Sequence, residues 1–114
     1  MRLIWLISTP DLGCSQPIPL GMESDRIQNA DITYSSLLSS EYDDSRLNTK
    51  AGETAWVPRK DDTNAWLMVD FRSETLINGI ATQGRHSYLQ FVTSYTLSYS
   101  QSGATFTPYN SSHV

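Results

Sequence analysis

A chain of 114 residues, 39% hydrophobic and 18% charged, holds one domain with a modest core and is too apolar for a disordered tail. Its net charge of −4 argues against a nucleic-acid partner: Arg59-Lys60 is answered at once by Asp61-Asp62, and no basic cluster exists to neutralise a phosphate backbone. Nothing approaches the ~20 consecutive apolar residues of a membrane-spanning helix.

The chain opens with one basic residue, Arg2, and the short apolar run Leu3–Ile7. Secretory signals need an apolar stretch of roughly 7–15 residues and a small-residue cleavage site, whereas Pro10-Asp11 follows here. Residues 1–13 therefore read as a leader or linker ahead of a domain spanning 14–114. Cys14 is the single cysteine, which leaves open a buried thiol or a partner outside this chain.

From Tyr34 onward the apolar residues fall into short runs of period two, without a sustained helical period. Strands are predicted at Trp66–Phe71, at about 76–82, and at Phe91–Tyr99, the last pairing through a hairpin with a strand near Phe106. Turn residues separate them at Asp61-Asp62-Thr63-Asn64, Arg72-Ser73-Glu74 and Gln101-Ser102-Gly103. The alternation predicts that Leu67, Val69 and Phe71, with Tyr95, Leu97 and Tyr99, form buried faces. Trp56 and Trp66 read as packing residues. Short strands at this spacing imply an antiparallel sandwich or barrel.

Across this framework an ordered set of motifs appears. It begins with Cys14, Pro19-Leu20-Gly21-Met22-Glu23-Ser24, Ile27, Asp31-Ile32-Thr33 and Ser35-Ser36. It continues with Ser45-Arg46-Leu47-Asn48, Ala55-Trp56, Pro58, Trp66-Leu67 and Val69-Asp70. It closes with Gly79–Arg85 and Val92–Tyr95 through Ser100. In order and spacing this closely resembles the discoidin, or coagulation factor V/VIII C-type, domain from Cys14 to Tyr109. Asp25 stands where a glycine is common in that family, and Asp tolerates left-handed geometry.

The resemblance implies an all-β antiparallel jelly-roll sandwich of the galactose-binding-domain-like type, here incomplete at its C-terminus. It also implies an extracellular or cell-surface location, and a closing cysteine, absent from this chain, bonded to Cys14. Family members are non-catalytic binding modules that use loops, called spikes, gathered at one end of the sandwich.

Two loops match those spikes. In Leu37–Asp44, Leu37, Leu38 and Tyr42 are apolar or amphipathic residues in a polar stretch, suited to anchoring a partner. The competing reading is that one leucine packs inward. In Gly84–Gln90, Arg85, His86, Ser87 and Tyr88 offer a cation and a flat amphipathic ring, and Gly-Arg-His after Thr-Gln resembles collagen-binding relatives. Against this, Arg85 reads at least as well as a structural ion-pair partner of Asp70 or another carboxylate of the sandwich.

Glu41, Asp43 and Asp44 would repel anionic lipid. The expected partner is thus an extracellular-matrix protein, cell-surface receptor or glycan. Phospholipid binding is the weaker alternative, and a non-functional gene fragment a third.

No catalytic motif is present, and the two histidines are His86 and His113. No enzyme and no cofactor is expected. Calcium at Asp61-Asp62-Thr63-Asn64 or Asp43-Asp44 is a lesser reading, because adjacent carboxylates without EF-hand spacing are ordinarily solvated loops. Asn110-Ser111-Ser112 is an acceptor sequence for N-glycosylation.

Overall fold

The computed structural model describes residues 2–5, 7–8, 18–40, 44–48, 55–77, 79–86 and 88–109. Cys14, Tyr42, Ser87 and Asn110, together with Asp43, lie outside them.

Eight short strands pair antiparallel, two by two. They are β1 (Arg2–Trp5), β2 (Ile7–Ser8), β3 (Ile18–Pro19), β4 (Ile32–Tyr34), β5 (Leu67–Val69), β6 (Ile80–Gln83), β7 (Ser98–Tyr99) and β8 (Thr107–Pro108). β1 pairs with β6, β2 with β3, β4 with β5 and β7 with β8. One 3-10 turn, Asn29–Asp31, enters β4, and no α-helix occurs among the described residues. The chain is all-β.

The β4–β5 pair carries the first candidate loop, which leaves β4 at Ser35. Ile32 faces Val69 and Tyr34 faces Leu67 across it. The ladder is extended at both ends, by Asp70 N–H to Asp31 O (2.8 Å) and by Ser35 N–H to Trp66 O (3.0 Å). β-Branched and aromatic residues favour this pleated surface. The turn Asn29–Asp31 fixes where β4 begins, with Asp31 accepting the Gln28 N–H at 3.1 Å.

The fully packed centre is small: Met22, Ile27, Ala55 and Trp56 are the buried apolar residues among those described. Trp56 is 1% exposed, and its indole N–H donates to Ser36 O at 3.2 Å, so the ring is buried with its one polar group satisfied. Gly21 lets the chain turn tightly over this core. Its φ is +122°, and a side chain there would run into the Cβ of Arg26.

Several expectations need correction. Strand 91–99 shrinks to Ser98–Tyr99, 66–71 to Leu67–Val69, and 76–82 to Ile80–Gln83. Strand propensity expresses itself only where a partner ladder exists, and residues 91–96 have none among the described residues. Tyr95 and Tyr99 are exposed, at 47% and 58%, rather than buried, because nothing described covers that face. Leu67, Val69, Phe71 and Leu97 are half-buried, as is Met68, while Asp70 is exposed. The expected burial of the Leu67, Val69 and Phe71 face is thus not reached, because both faces of β5 are only partly covered. Trp66, at 48% exposed, is not a packing residue as Trp56 is.

The turns form as their residues dictate. Asn64 N–H bonds Asp62 Oδ1 at 3.2 Å, and Arg72 N–H bonds Asp70 Oδ1 at 2.7 Å. In the β7–β8 connection Ser100 Oγ accepts the Gly103 N–H at 2.9 Å, with Gly103 left-handed at φ +71°. Asp25, in the glycine-like position, has φ +59°.

Candidate functional site

The first candidate loop leaves β4 at Ser35, and its base is clamped. Ser35 Oγ and Ser36 Oγ both donate to Asp62 Oδ2, the former at 2.6 Å. The same hydroxyl oxygens accept backbone N–H groups, Ser35 Oγ from Trp66 at 3.1 Å and Ser36 Oγ from Arg59 at 3.2 Å. These hydroxyls, Ser35 first, hold the Asp62 carboxyl below its ordinary value. Leu38 N–H then donates to Val57 O at 2.8 Å. The outcome is split between the two leucines: Leu37 is half-buried, whereas Leu38 is 40% exposed.

The second loop follows β6 directly. Arg85 N–H reaches Gln90 O at 2.8 Å, Gln90 N–H reaches Tyr88 O at 2.8 Å, and Arg85 Nη1 donates to Gln90 Oε1 at 2.9 Å. A side chain at Gly84 would press on Gln90 O at 3.2 Å, so glycine permits the loop ends to approach. The Arg85 guanidinium carbon sits 3.9 Å from the centroid of the Tyr88 ring. At an exposed site such a contact is worth about 0.5–1 kcal/mol. Arg85 is thus engaged within its own loop by Gln90 and Tyr88. His86 and Tyr88 are exposed.

Sequence reasoning passed over the most exposed apolar residue of this loop. Leu89 is 99% exposed and Phe91 63%, flanking Gln90. For Leu89 the signal was legible, an apolar side chain beside a tight turn outside any alternating run; Phe91 falls in phase with Tyr95 and Tyr99 in the expected strand, and its exposure corrects that expectation.

A third segment joins the two loops. Asn48 N–H donates to Gln83 Oε1 (3.1 Å), at the end of β6, and Asn48 Nδ2 to Glu23 Oε1 (3.1 Å). Arg46 grips the neighbouring turn, donating to Met22 O (3.0 Å), Ile27 O (2.7 Å) and Asn29 Oδ1 (2.6 Å). The turn at Asn48, after the first loop, and the end of β6, before the second, therefore meet at Asn48 and Gln83. Among the described residues no three His, Cys, Asp or Glu side chains gather as metal ligands. Asp62 accepts from Ser35, Ser36 and Asn64, and Asp61 pairs with Arg59 at 3.2 Å.

Comparison with known proteins places this geometry. The F5/8 type C domain model matches residues 31–114. The chain is 41% identical over 106 residues to coagulation factor VIII of Canis lupus familiaris, covering 84% of this chain and 4% of that protein. It is 36% identical over 104 residues to the non-catalytic subunit of venom prothrombin activator omicarin-C from Oxyuranus microlepidotus, covering 85% and 7%. To the human EGF-like repeat and discoidin I-like domain-containing protein 3 it is 38% identical over 107 residues, covering 85% and 22%. The chain spans only a small part of the length of these relatives. No solved structure matches it. The motifs from Asp31 onward, the short antiparallel strands and this match agree: the chain belongs to the F5/8 type C, or discoidin, domain family, whose fold is an all-β jelly roll.

Proposed function

We propose that this chain is an extracellular, non-catalytic binding module that recognises a matrix protein, cell-surface receptor or glycan through the loops 37–44 and 84–90. One observation carries this reading. Tyr88, Leu89 and Phe91 stand exposed on a loop whose ends are tied by the Arg85–Gln90 hydrogen bonds. Exposed apolar and aromatic side chains on an ordered support are what a recognition surface needs, because little freedom is lost on binding. Leu38 extends the surface, and the Asn48–Gln83 bond argues that both loops share one end of the domain. Tyr42 and Ser87 fall within these two loops in the sequence.

Mechanistically, the module binds by presenting apolar side chains beside a cation stacked on a ring. Tyr88 and Leu89 exclude water at the centre of the contact, and His86 supplies a polar group at its rim. The relatives named above include a protein described as a non-catalytic subunit, in keeping with a role in attachment rather than chemistry.

A second reading is phospholipid attachment, favoured by the complete exposure of Leu89. It is the weaker one, because Glu41, Asp43 and Asp44 put negative charge into the neighbouring loop. Sedimentation with vesicles containing phosphatidylserine, run beside a solid-phase assay on immobilised extracellular matrix, separates the two. Matrix binding with the protein left in the vesicle supernatant supports the proposal. Pelleting with vesicles and no retention on matrix overturns it in favour of lipid.

A further inference from the structure

Apart from the loop surface, an open cavity of about 280 Å³ lies beneath the start of β4, between the Gly21–Asp31 turn and the segment after β5. Two arginines line it, Arg26 and Arg72. Arg72 is held in an unusual way. Its Nε donates to Asp31 Oδ1 at 2.6 Å, and the Asp31 side chain is only 9% exposed, while that of Arg72 is 60% exposed. Asp31 is fixed in turn by the Gln28 N–H on its other oxygen. A buried carboxylate thus anchors the inner nitrogen of an exposed guanidinium. The terminal nitrogens, the edge that grips a planar carboxylate with two parallel bonds, have no partner among the described residues. The side chain of Arg26 likewise makes no hydrogen bond or ion pair among them.

The backbone adds to this. Arg72 has φ +59°, a left-handed conformation that strains a side-chain-bearing residue and that a glycine adopts freely. The position holds an arginine where glycine would relax the chain.

We propose that this cavity binds the carboxylate of a uronic-acid residue in an acidic glycan, with Arg72 as the bidentate anchor and Arg26 as the second cation. The cavity is just below the roughly 300–1,000 Å³ of ordinary ligand pockets, the size for one sugar ring rather than a larger group. Its walls match a sugar. Asp70, Gln28 and Ser73 supply acceptors and donors for hydroxyls, and Phe71 offers an apolar face for ring C–H groups. The two carboxylates, Asp31 and Asp70, offset the overall charge of the two cations, so attraction is confined to the outward edge of the Arg72 guanidinium, and a dianionic phosphate is disfavoured more than a single carboxylate. This site goes beyond the loop surface and stands or falls without it.

The test is titration of the whole chain with D-glucuronate, D-glucose, inorganic phosphate and a glutamate-rich peptide, followed by amide and arginine side-chain NMR. The expected result is saturable binding of glucuronate, at least tenfold tighter than glucose, that weakens as salt is raised. Shifts should centre on Arg72, Arg26 and Asp70. Arg72→Lys keeps the charge beside Asp31 but loses the fork, and should weaken glucuronate binding about tenfold. Arg26→Gln removes a side chain with no described partner; it should weaken binding severalfold at an unchanged thermal midpoint. Equal binding of glucose, tighter binding of phosphate or the peptide, or wild-type affinity in both variants would overturn the proposal.

Discussion

Replacing Arg46 with methionine isolates the interaction that ties the turn at Gly21–Asn29 to the rest of the domain. Its side chain is 11% exposed and donates to two backbone carbonyls, Met22 O at 3.0 Å and Ile27 O at 2.7 Å, and twice to Asn29 Oδ1, at 2.6 and 3.1 Å. Hydrogen bonds from a charged donor contribute roughly 1.5–3 kcal/mol each, and orphaned part-buried carbonyls add their desolvation. The Asp25 pair at 3.1 Å adds little, since Asp25 is 78% exposed. With overlapping contributions, the expected loss is about 3–4 kcal/mol. For a domain of this size that lowers the thermal midpoint by at least ~10 °C. Arg46→Lys should fall between the two, because an ammonium cannot reach both carbonyls and Asn29 together. Urea melts of the three proteins, with amide exchange at Ile27, measure this directly. A loss under ~1 kcal/mol for Arg46→Met, or a lysine variant as stable as wild type, would refute the reasoning.

Asp62→Asn should release one set of its contacts, the Ser35 and Ser36 hydroxyls or the Asn64 N–H, and speed amide exchange at Leu38 severalfold in NMR. Because the Asp62 carboxyl is held below its ordinary value, its contribution is present above that value and lost as pH falls through the depressed one. Leu38 protection should therefore persist at about pH 5 and collapse only in stronger acid, a profile the Asn variant lacks. Gly21→Ala should destabilise by roughly 2 kcal/mol or more, combining a left-handed φ with a clash at Arg26, as read by a thermal melt. Trp56→Phe keeps the ring buried but leaves Ser36 O without its indole donor, and should cost about 1–3 kcal/mol in a urea melt.

Much of the architecture was legible in the residues. The turn at Gln101-Ser102-Gly103 and the Asx-turn at Asp62 form because short polar side chains capture nearby N–H groups, which is a local property. Asp25 adopts the left-handed conformation expected where a glycine is common. Strand extents were not legible, since Phe91–Thr96 has the composition of a strand but meets no ladder among the described residues. The same cause exposes Tyr95 and Tyr99. Trp56 and Trp66 look alike in sequence, yet Trp56 is 1% exposed and Trp66 48%, a difference of tertiary position alone. At the candidate surface, Leu38 and Tyr88 were identifiable as apolar residues in polar loops. The clamp of Ser35, Ser36 and Asp62 was not, because it joins residues 26 and 27 apart in the chain.

The recognition surface is tested most directly by comparing binding of the wild-type chain and the double variant Leu38→Ala, Arg85→Ala to immobilised extracellular matrix, with thermal melts alongside. Truncating an exposed anchor and removing the cation stacked on Tyr88 should weaken binding about tenfold or more, the scale of more than 1 kcal/mol for a central contact residue. The thermal midpoint should stay nearly unchanged, because Leu38 and the Arg85–Gln90 contact lie at the surface. A double variant that binds matrix as wild type does would contradict the assignment of these loops as the ligand surface.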